Sequence, residues 1–185
     1  MSNSVQTQTV KMVITGPFAA GKTEFIRSIS EIDVVSTDRD ISSDTYESTI
    51  KSATTVAMDF GRITVDEDLV LFLFGTPGQR RFDFMWEILA EGMLGFVVMV
   101  DSTRPETFRE AKGILETFRA YAHTPYVVAA NKQDSDEAWK PEDLRVALQI
   151  DDHIKLLPCI AYKKDSVKEV LLELLYSILD EIDDR

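Results

Sequence analysis

The chain has 185 residues, 32 of them acidic and 20 basic, for a formal net charge of −12. A surface that negative argues against broad nucleic-acid binding and against anionic bilayers. A domain of this length buries about 70% of the surface its unfolded chain exposes and needs no disulfide staple; the lone Cys159 has no thiol to pair with and reads as a packed residue in a reducing compartment.

In chain order, residues 1–8 are polar and expected to fray, as are residues 183–185 at the acidic end, which leaves 9–182 as a single domain. Thr9 to Thr15 is rich in β-branched residues and predicts a strand. Gly16-Pro17-Phe18-Ala19-Ala20-Gly21-Lys22-Thr23 follows and fits the phosphate-binding pattern G-x-x-x-x-G-K-[ST]. Glu24 to Ile29 then reads as a helix, so the motif stands between a strand and a helix, the context it needs. A loop around a polyphosphate turns its N–H groups inward, which favours Gly16 and Gly21, and the helix start adds unpaired N–H groups and a positive dipole end. Lys22 can reach terminal phosphates, and the Thr23 hydroxyl can ligate Mg²⁺.

Glu31 to Ser52 is polar and without clear periodicity, a pattern usual for a functional segment. Thr54 to Val65 reads as extended, Asp66-Glu67-Asp68 as a turn, and Leu69 to Phe74 as an apolar strand covered on both faces. The two extended segments are expected to pair as an antiparallel hairpin. Gly75 to Gly92 begins as a loop and turns partly helical around Trp86, Ile88 and Leu89. Phe96 to Val100 is a further buried strand ending at Asp101, Pro105 to Tyr121 a helix, and Tyr126 to Ala130 the next strand. Pro141 suits the first turn of a short helix through Leu148, and Lys155 to Ile160 predicts a last strand. The final helix carries Val167, Val170, Leu171, Leu174, Leu175, Ile178, Leu179 and Ile182 as one apolar stripe. Alternating apolar strands and amphipathic helices predict an α/β fold, a mostly parallel sheet with helices on both faces. Ligands bind such sheets at the carboxyl ends of strands, where the phosphate loop, Gly75 and Asn131 all fall.

Asn131-Lys132-Gln133-Asp134 stands directly after a buried strand. With the phosphate loop before it, in this order and spacing, the chain resembles the small GTPases of the Ras-like superfamily over Lys11 to Ile182. The resemblance implies a Ras-like G domain, a three-layer P-loop NTPase with one antiparallel strand, that binds GTP or GDP with Mg²⁺. Gly16, Phe18, Ala19, Ala20, Gly21, Lys22 and Thr23 would hold the phosphates. Asp134 would accept hydrogen bonds from N1–H and the exocyclic amine of guanine, Asn131 would bond the purine edge and brace the phosphate loop, and the Lys132 stem would lie along the ring. A matched polar pocket of this kind discriminates by about 10⁴-fold or more, which favours GTP over ATP. Pro158-Cys159-Ile160-Ala161 is a loose match to the last family motif, in which the Ala161 N–H would meet the guanine carbonyl.

Thr55-Val56-Ala57-Met58-Asp59-Phe60 is similar to switch I, with Thr55 as Mg²⁺ ligand and γ-phosphate sensor and Thr54 as its adjacent rival. Gly75-Thr76-Pro77-Gly78-Gln79 is similar to switch II, in which the Gly78 N–H would meet the γ-phosphate and Gln79 would orient the attacking water. Gln79 and Lys22 are then the catalytic candidates, and Thr23 and Thr55 the metal ligands. Arg80 and Arg81 follow Gln79 and would assist or simply be solvated.

The chain departs from the family in three places. Gly75 stands where the family has its Mg²⁺-associated Asp; Asp59 on the neighbouring strand is a substitute, with Asp38, Asp40 and Asp101 as rivals. Phe18 and Ala19 stand where Gly is common, and Phe18 would obstruct a partner's arginine or pack on a switch. No aromatic residue at the start of switch I is suited to cover the base. The Gly-Thr-Pro-Gly-Gln form is most similar to bacterial MglA-related proteins, which work with roadblock-type partners. The expectation is a GTP-hydrolysing switch, slow unaided at a rate on the order of 10⁻⁴ s⁻¹. A GTP-binding scaffold with little hydrolysis and a P-loop kinase are the alternatives. With Ser2 excluding N-myristoylation, no cysteine placed for prenylation and no long apolar run, a cytoplasmic protein without a membrane anchor is expected.

Overall fold

The computed structural model describes residues 7–36, 58–78 and 82–183. Strand β1 (Gln8–Thr15) leads into helix α1 (Lys22–Ile29), followed by β2 (Val35–Ser36), β3 (Asp59–Asp66) and β4 (Leu69–Gly75). Then come α2 (Phe84–Ala90), β5 (Gly95–Asp101), α3 (Phe108–Tyr121), β6 (Tyr126–Asn131), α4 (Pro141–Leu148), β7 (Leu156–Pro158) and α5 (Lys164–Asp183). A single 3₁₀ turn, Pro105–Thr107, opens α3.

The strands form one sheet in the order β2-β3-β4-β1-β5-β6-β7. β3 alone runs against its neighbours, antiparallel to β2 and β4, while β4, β1, β5, β6 and β7 are parallel. This is the expected mostly parallel sheet with one antiparallel strand and helices on both faces, a P-loop NTPase fold. The expected β3–β4 hairpin turns at Glu67 and Asp68.

The apolar strand runs have a simple cause: alternate residues face two cores. Met12 and Ile14 of β1, Val97 and Met99 of β5, and Val127 and Ala129 of β6 pack against α1 and α5, through Phe25, Ile26, Val170, Leu174 and Ile178. Val13, Phe96, Val98, Val100, Val128 and Ala130 point the other way, onto Trp86, Phe108, Ile114, Leu115, Phe118 and Leu144 of α2, α3 and α4. β5, β6 and the second half of β1 are buried on both sides, so period-two alternation disappears from these segments of the sequence.

Several details differ from the sequence reading, among them β7, which spans Leu156–Pro158 and not Lys155 to Ile160. Gln8 belongs to β1, because its N–H donates to the Asp68 carbonyl at 2.6 Å, and Asp183 belongs to α5. The polar stretch after α1 holds the short strand β2, whose two residues have no detectable periodicity. Leu179 and Ile182 leave the expected stripe and are exposed. Leu172 and Tyr176, seven and three positions before Leu179, are exposed as well, so Leu179 and Ile182 continue the solvent face of the helix and not its core stripe. Cys159 is buried, and burial raises its thiol to about 11, in keeping with a packed thiol.

Candidate nucleotide site

β1 lies between β4 and β5, where the strand order reverses, and the carboxyl ends of β1, β4, β5 and β6 meet around that crevice. The loop from Gly16 to Gly21 closes over it. Gly16 has φ +144° and Gly21 φ +104°, conformations that disfavour a side chain. A Cβ on Gly16 would stand 2.3 Å from the Met99 carbonyl oxygen, and one on Gly21 would stand 2.3 Å from Asn131 Nδ2. The glycines therefore answer to close contacts with β5 and β6 in addition to the approach of a phosphate. Ala19 also has positive φ, +60°. Gly21 begins α1 without a side-chain cap, so the first N–H groups of the helix are left for an anion.

Lys22 is the first residue of α1 and is buried. Its ammonium donates to the Gly16 carbonyl at 2.8 Å and to the Pro17 carbonyl at 2.7 Å. Burial lowers its pKa to about 8, against the opposing attraction of Asp59 and Glu110. Next to it, Thr23 Oγ1 donates to Asp59 Oδ2 at 2.5 Å. Asp59, first residue of β3, faces Gly75, last residue of β4, in the antiparallel register. Of the carboxylates weighed for the place left by Gly75, Asp59 is the one bonded to Thr23. Asp101 instead receives Lys132 and Thr103, and Asp38 and Asp40 lie outside the described residues.

After β4, the Thr76 N–H donates to the Ile14 carbonyl at 2.9 Å and its hydroxyl to Thr15 Oγ1 at 2.9 Å, tying this loop to β1. Trp86 Nε1–H donates to the Pro77 carbonyl at 3.3 Å. Gly78 then lies flat on the phosphate loop. A Cβ there would meet Phe18 Cα at 2.7 Å and Lys22 Nζ at 3.0 Å, so the close approach requires glycine. The Phe18 side chain is 59% exposed and projects away from the core. Thr54, Thr55, Gln79, Arg80 and Arg81 lie outside the described residues.

On the other side of the crevice, buried Asn131 joins three loops. Its Nδ2 donates to the Ala20 carbonyl at 2.9 Å, and its Oδ1 accepts the Ala161 N–H at 2.9 Å. In this structure the Ala161 N–H, expected to meet a base carbonyl, is thus given to Asn131. Gln133 adds to the clamp: its N–H donates to the Cys159 carbonyl at 3.2 Å, and its side chain to Ser102 Oγ at 2.9 Å. Lys132 takes a left-handed conformation, φ +66°, and its ammonium pairs with Asp101 Oδ2 at 2.6 Å. Burial would raise the Asp101 pKa, but the hydrogen bonds from Lys132 and Thr103 outweigh it, and the carboxyl sits below its usual range. Asp134 is exposed and accepts the Tyr162 hydroxyl at 2.7 Å, which lowers its pKa.

The crevice thus brings Lys22, Thr23, Asn131, Lys132, Asp134 and Ala161 around one mouth. Sequence reasoning passed over Tyr162, the Asp101 brace on Lys132 and the Gln133 clamp. Their partners are 28 to 31 residues distant in the chain, and no spacing rule links them. Thr23 and Asp59 offer hard oxygen donors next to the phosphate loop, a set that suits Mg²⁺, which takes one or two protein oxygens and completes its shell with phosphate and water. Among the described residues no group of three or more His, Cys, Asp or Glu forms an all-protein metal cage. No helix among them is long and apolar enough to cross a membrane.

The family model described as a conserved hypothetical ATP binding protein matches residues 14–181. The chain is similar to an uncharacterized protein of Methanocaldococcus jannaschii, 31% identical over 125 residues, 68% of this chain and 71% of that protein. It is 28% identical over 135 residues to the Ras-related protein SEC4 of Saccharomyces cerevisiae, covering 70% of this chain and 63% of that one. Similarity to ADP-ribosylation factor-related protein 1 of Homo sapiens is 29% over 100 residues, 52% of this chain and 49% of that protein.

Proposed function

The chain belongs to the family described as conserved hypothetical ATP binding protein and is a distant homologue of Ras, Rab and Arf small GTPases, and from that premise we propose that it is a GTP-binding molecular switch that hydrolyses GTP to GDP and phosphate. The observation that carries this reading is the double bond of Asn131. One amide group joins the phosphate loop, through Ala20, to the loop that would read the base, through Ala161. Phosphate and base recognition are then parts of one rigid site.

In this reading the N–H groups of the loop and of the α1 start hold the phosphates, and Lys22 exchanges the Gly16 and Pro17 carbonyls for phosphate oxygens. Thr23 and Asp59 would hold Mg²⁺, which supplies charge neutralisation between the terminal phosphates. Asp134 accepts from N1–H and the amine of guanine, and Gln79 orients water. Thr55 and Gly78 sense the γ-phosphate, and its loss releases both switch segments. MglA-like use of a roadblock-type partner follows by analogy alone. A pull-down comparing GTP-analogue-loaded with GDP-loaded protein tests it.

The family's own description favours a second reading, in which ATP is the ligand. Competition between GDP and ADP, followed by calorimetry with Mg²⁺ present, decides. Guanine held at least about 10⁴-fold more tightly, with the preference lost in Asp134→Asn, is the expected result. Equal affinities would overturn the guanine reading.

A further inference from the structure

Tyr162 follows Ala161 in the loop between β7 and α5 and is 58% exposed, so core packing does not account for an aromatic residue there. Its hydroxyl donates to Asp134 Oδ2 at 2.7 Å. The two loops that carry this pair are themselves well fixed. Ala161 N–H is held by Asn131, Gln133 N–H by the Cys159 carbonyl, and Ile160 N–H by Ser166 Oγ at 2.9 Å. The Tyr162 side chain, with two rotatable bonds, is the part of this arrangement that can swing while the backbone around it stays in place.

The pair occupies the carboxylate that the proposed function assigns to base reading. A phenol O–H on Asp134 and a purine N–H on Asp134 compete for the same acceptor. We infer that Tyr162 is both gate and lid of the base pocket: its hydroxyl fills Asp134 in the empty protein, and its ring lies against the base once purine N–H groups have displaced that hydroxyl. This inference rests on the reading of Asp134 as the base-recognition carboxylate.

The chemistry of displacement adds to selectivity. Guanine brings two donors, N1–H and the exocyclic amine, to the carboxylate and compensates it fully for the lost phenol. Adenine presents an acceptor at N1 and cannot replace the O–H donor. The released ring, next to the mouth of the site, is placed to supply aromatic cover for the base. The depressed pKa of Asp134 and the raised pKa of Tyr162, both owed first to their mutual hydrogen bond, agree with a carboxylate already engaged as an acceptor.

The test uses the full chain, Mg²⁺ at fixed concentration and methylanthraniloyl-GDP, with Tyr162→Phe, Tyr162→Ala and Asp134→Asn beside the parent protein. Tyr162→Phe keeps the ring and removes the competing hydroxyl. It is expected to tighten GDP binding about two- to tenfold, through faster association, the range of one net hydrogen bond. Tyr162→Ala removes hydroxyl and ring together and is expected to bind GDP about five- to hundredfold more weakly than Tyr162→Phe, through faster release, the range of one lost base–aromatic stack. Both substitutions are at an exposed position, and unchanged melting temperatures confirm that the fold is intact. Tighter binding in Tyr162→Phe than in the parent, with faster release in Tyr162→Ala than in Tyr162→Phe, supports the gate and lid; the absence of either overturns them. A parent protein that fails to prefer GDP over ADP sinks the base-reading assignment and the gate with it. A preference that is present in the parent and lost in Asp134→Asn, with both Tyr162 variants unchanged, sinks the gate alone.

Discussion

Asp59 and Gly75 face each other across the antiparallel β3–β4 pair, and the Asp59 carboxylate fills the space that a side chain at 75 would take. A Cβ on Gly75 would stand 3.0 Å from Asp59 Cβ and 3.0 Å from Ile26 Cδ1. The resemblance to small GTPases implies a carboxylate where Gly75 stands; Asp59, on the neighbouring strand, is bonded to Thr23, and the proposed function gives it that role. Gly75→Ala should therefore destabilise the fold by about 1–3 kcal/mol, the cost of forcing extra volume into a packed site, measured by thermal denaturation. Asp59→Asn should leave the fold in place and weaken Mg²⁺-dependent GDP retention about 10- to 100-fold. A Mg²⁺ titration of nucleotide release that shows no change in Asp59→Asn would contradict the transposed role.

Lys22 carries a pH dependence with a definite sign. Burial holds its ammonium down to about 8 in the ligand-free protein. Anionic phosphates favour the charged form, so the complex binds that proton more tightly than the free protein does. Nucleotide binding should then take up a proton above about pH 8, and affinity should fall as pH rises through that value, by at most about tenfold per pH unit for one group. Below pH 7 the lysine is charged in both states and contributes no slope. Calorimetry in buffers of different ionisation heat reads the uptake directly, and its absence at pH 9 would remove Lys22 from the phosphate contact.

Asn131 and Asp134 sit three positions apart and should differ sharply in their effect on stability. Asn131→Ala strands a buried carbonyl at Ala20 and a buried N–H at Ala161, and should cost about 2–5 kcal/mol. Asp134→Asn is an exposed change and should stay within about 0.5 kcal/mol. Urea unfolding of the two variants separates a structural clamp from a group kept for recognition.

Gln79→Ala tests the hydrolytic step by itself. In the proposed role Gln79 positions water without holding nucleotide, so single-turnover release of phosphate from GTP should slow about 10²-fold with GDP affinity unchanged. Phosphate release no faster than in protein-free buffer, for the parent chain, would favour the scaffold reading.

Much of the fold was legible because it depends on local signals. The apolar runs of β4, β5 and β6 mark strands covered on both faces, and the helical recurrence of Phe108, Ala111, Ile114, Leu115 and Phe118 marks the buried side of α3. β2 was not legible, since two residues carry no period. Nor was the limit of the α5 stripe, since Leu179 and Ile182 share a helix face with the exposed Leu172 and Tyr176. In the site, Gly16 to Thr23 and Asn131 to Asp134 were legible as motifs because each contact group is contiguous in the chain.

The amino-acid order by itself determined where most strands and helices form and which short loops carry the phosphate-loop and Asn-Lys-x-Asp patterns, because hydrophobic period and motif spacing act over a few residues. Only the tertiary structure decided that Asp59 sits behind Thr23, that Asp101 restrains Lys132 and that Tyr162 reaches Asp134. Those pairings are set by strand register and by loops converging at the mouth of the sheet, and for Asp59 the register chose among the carboxylates that the sequence had left as rivals.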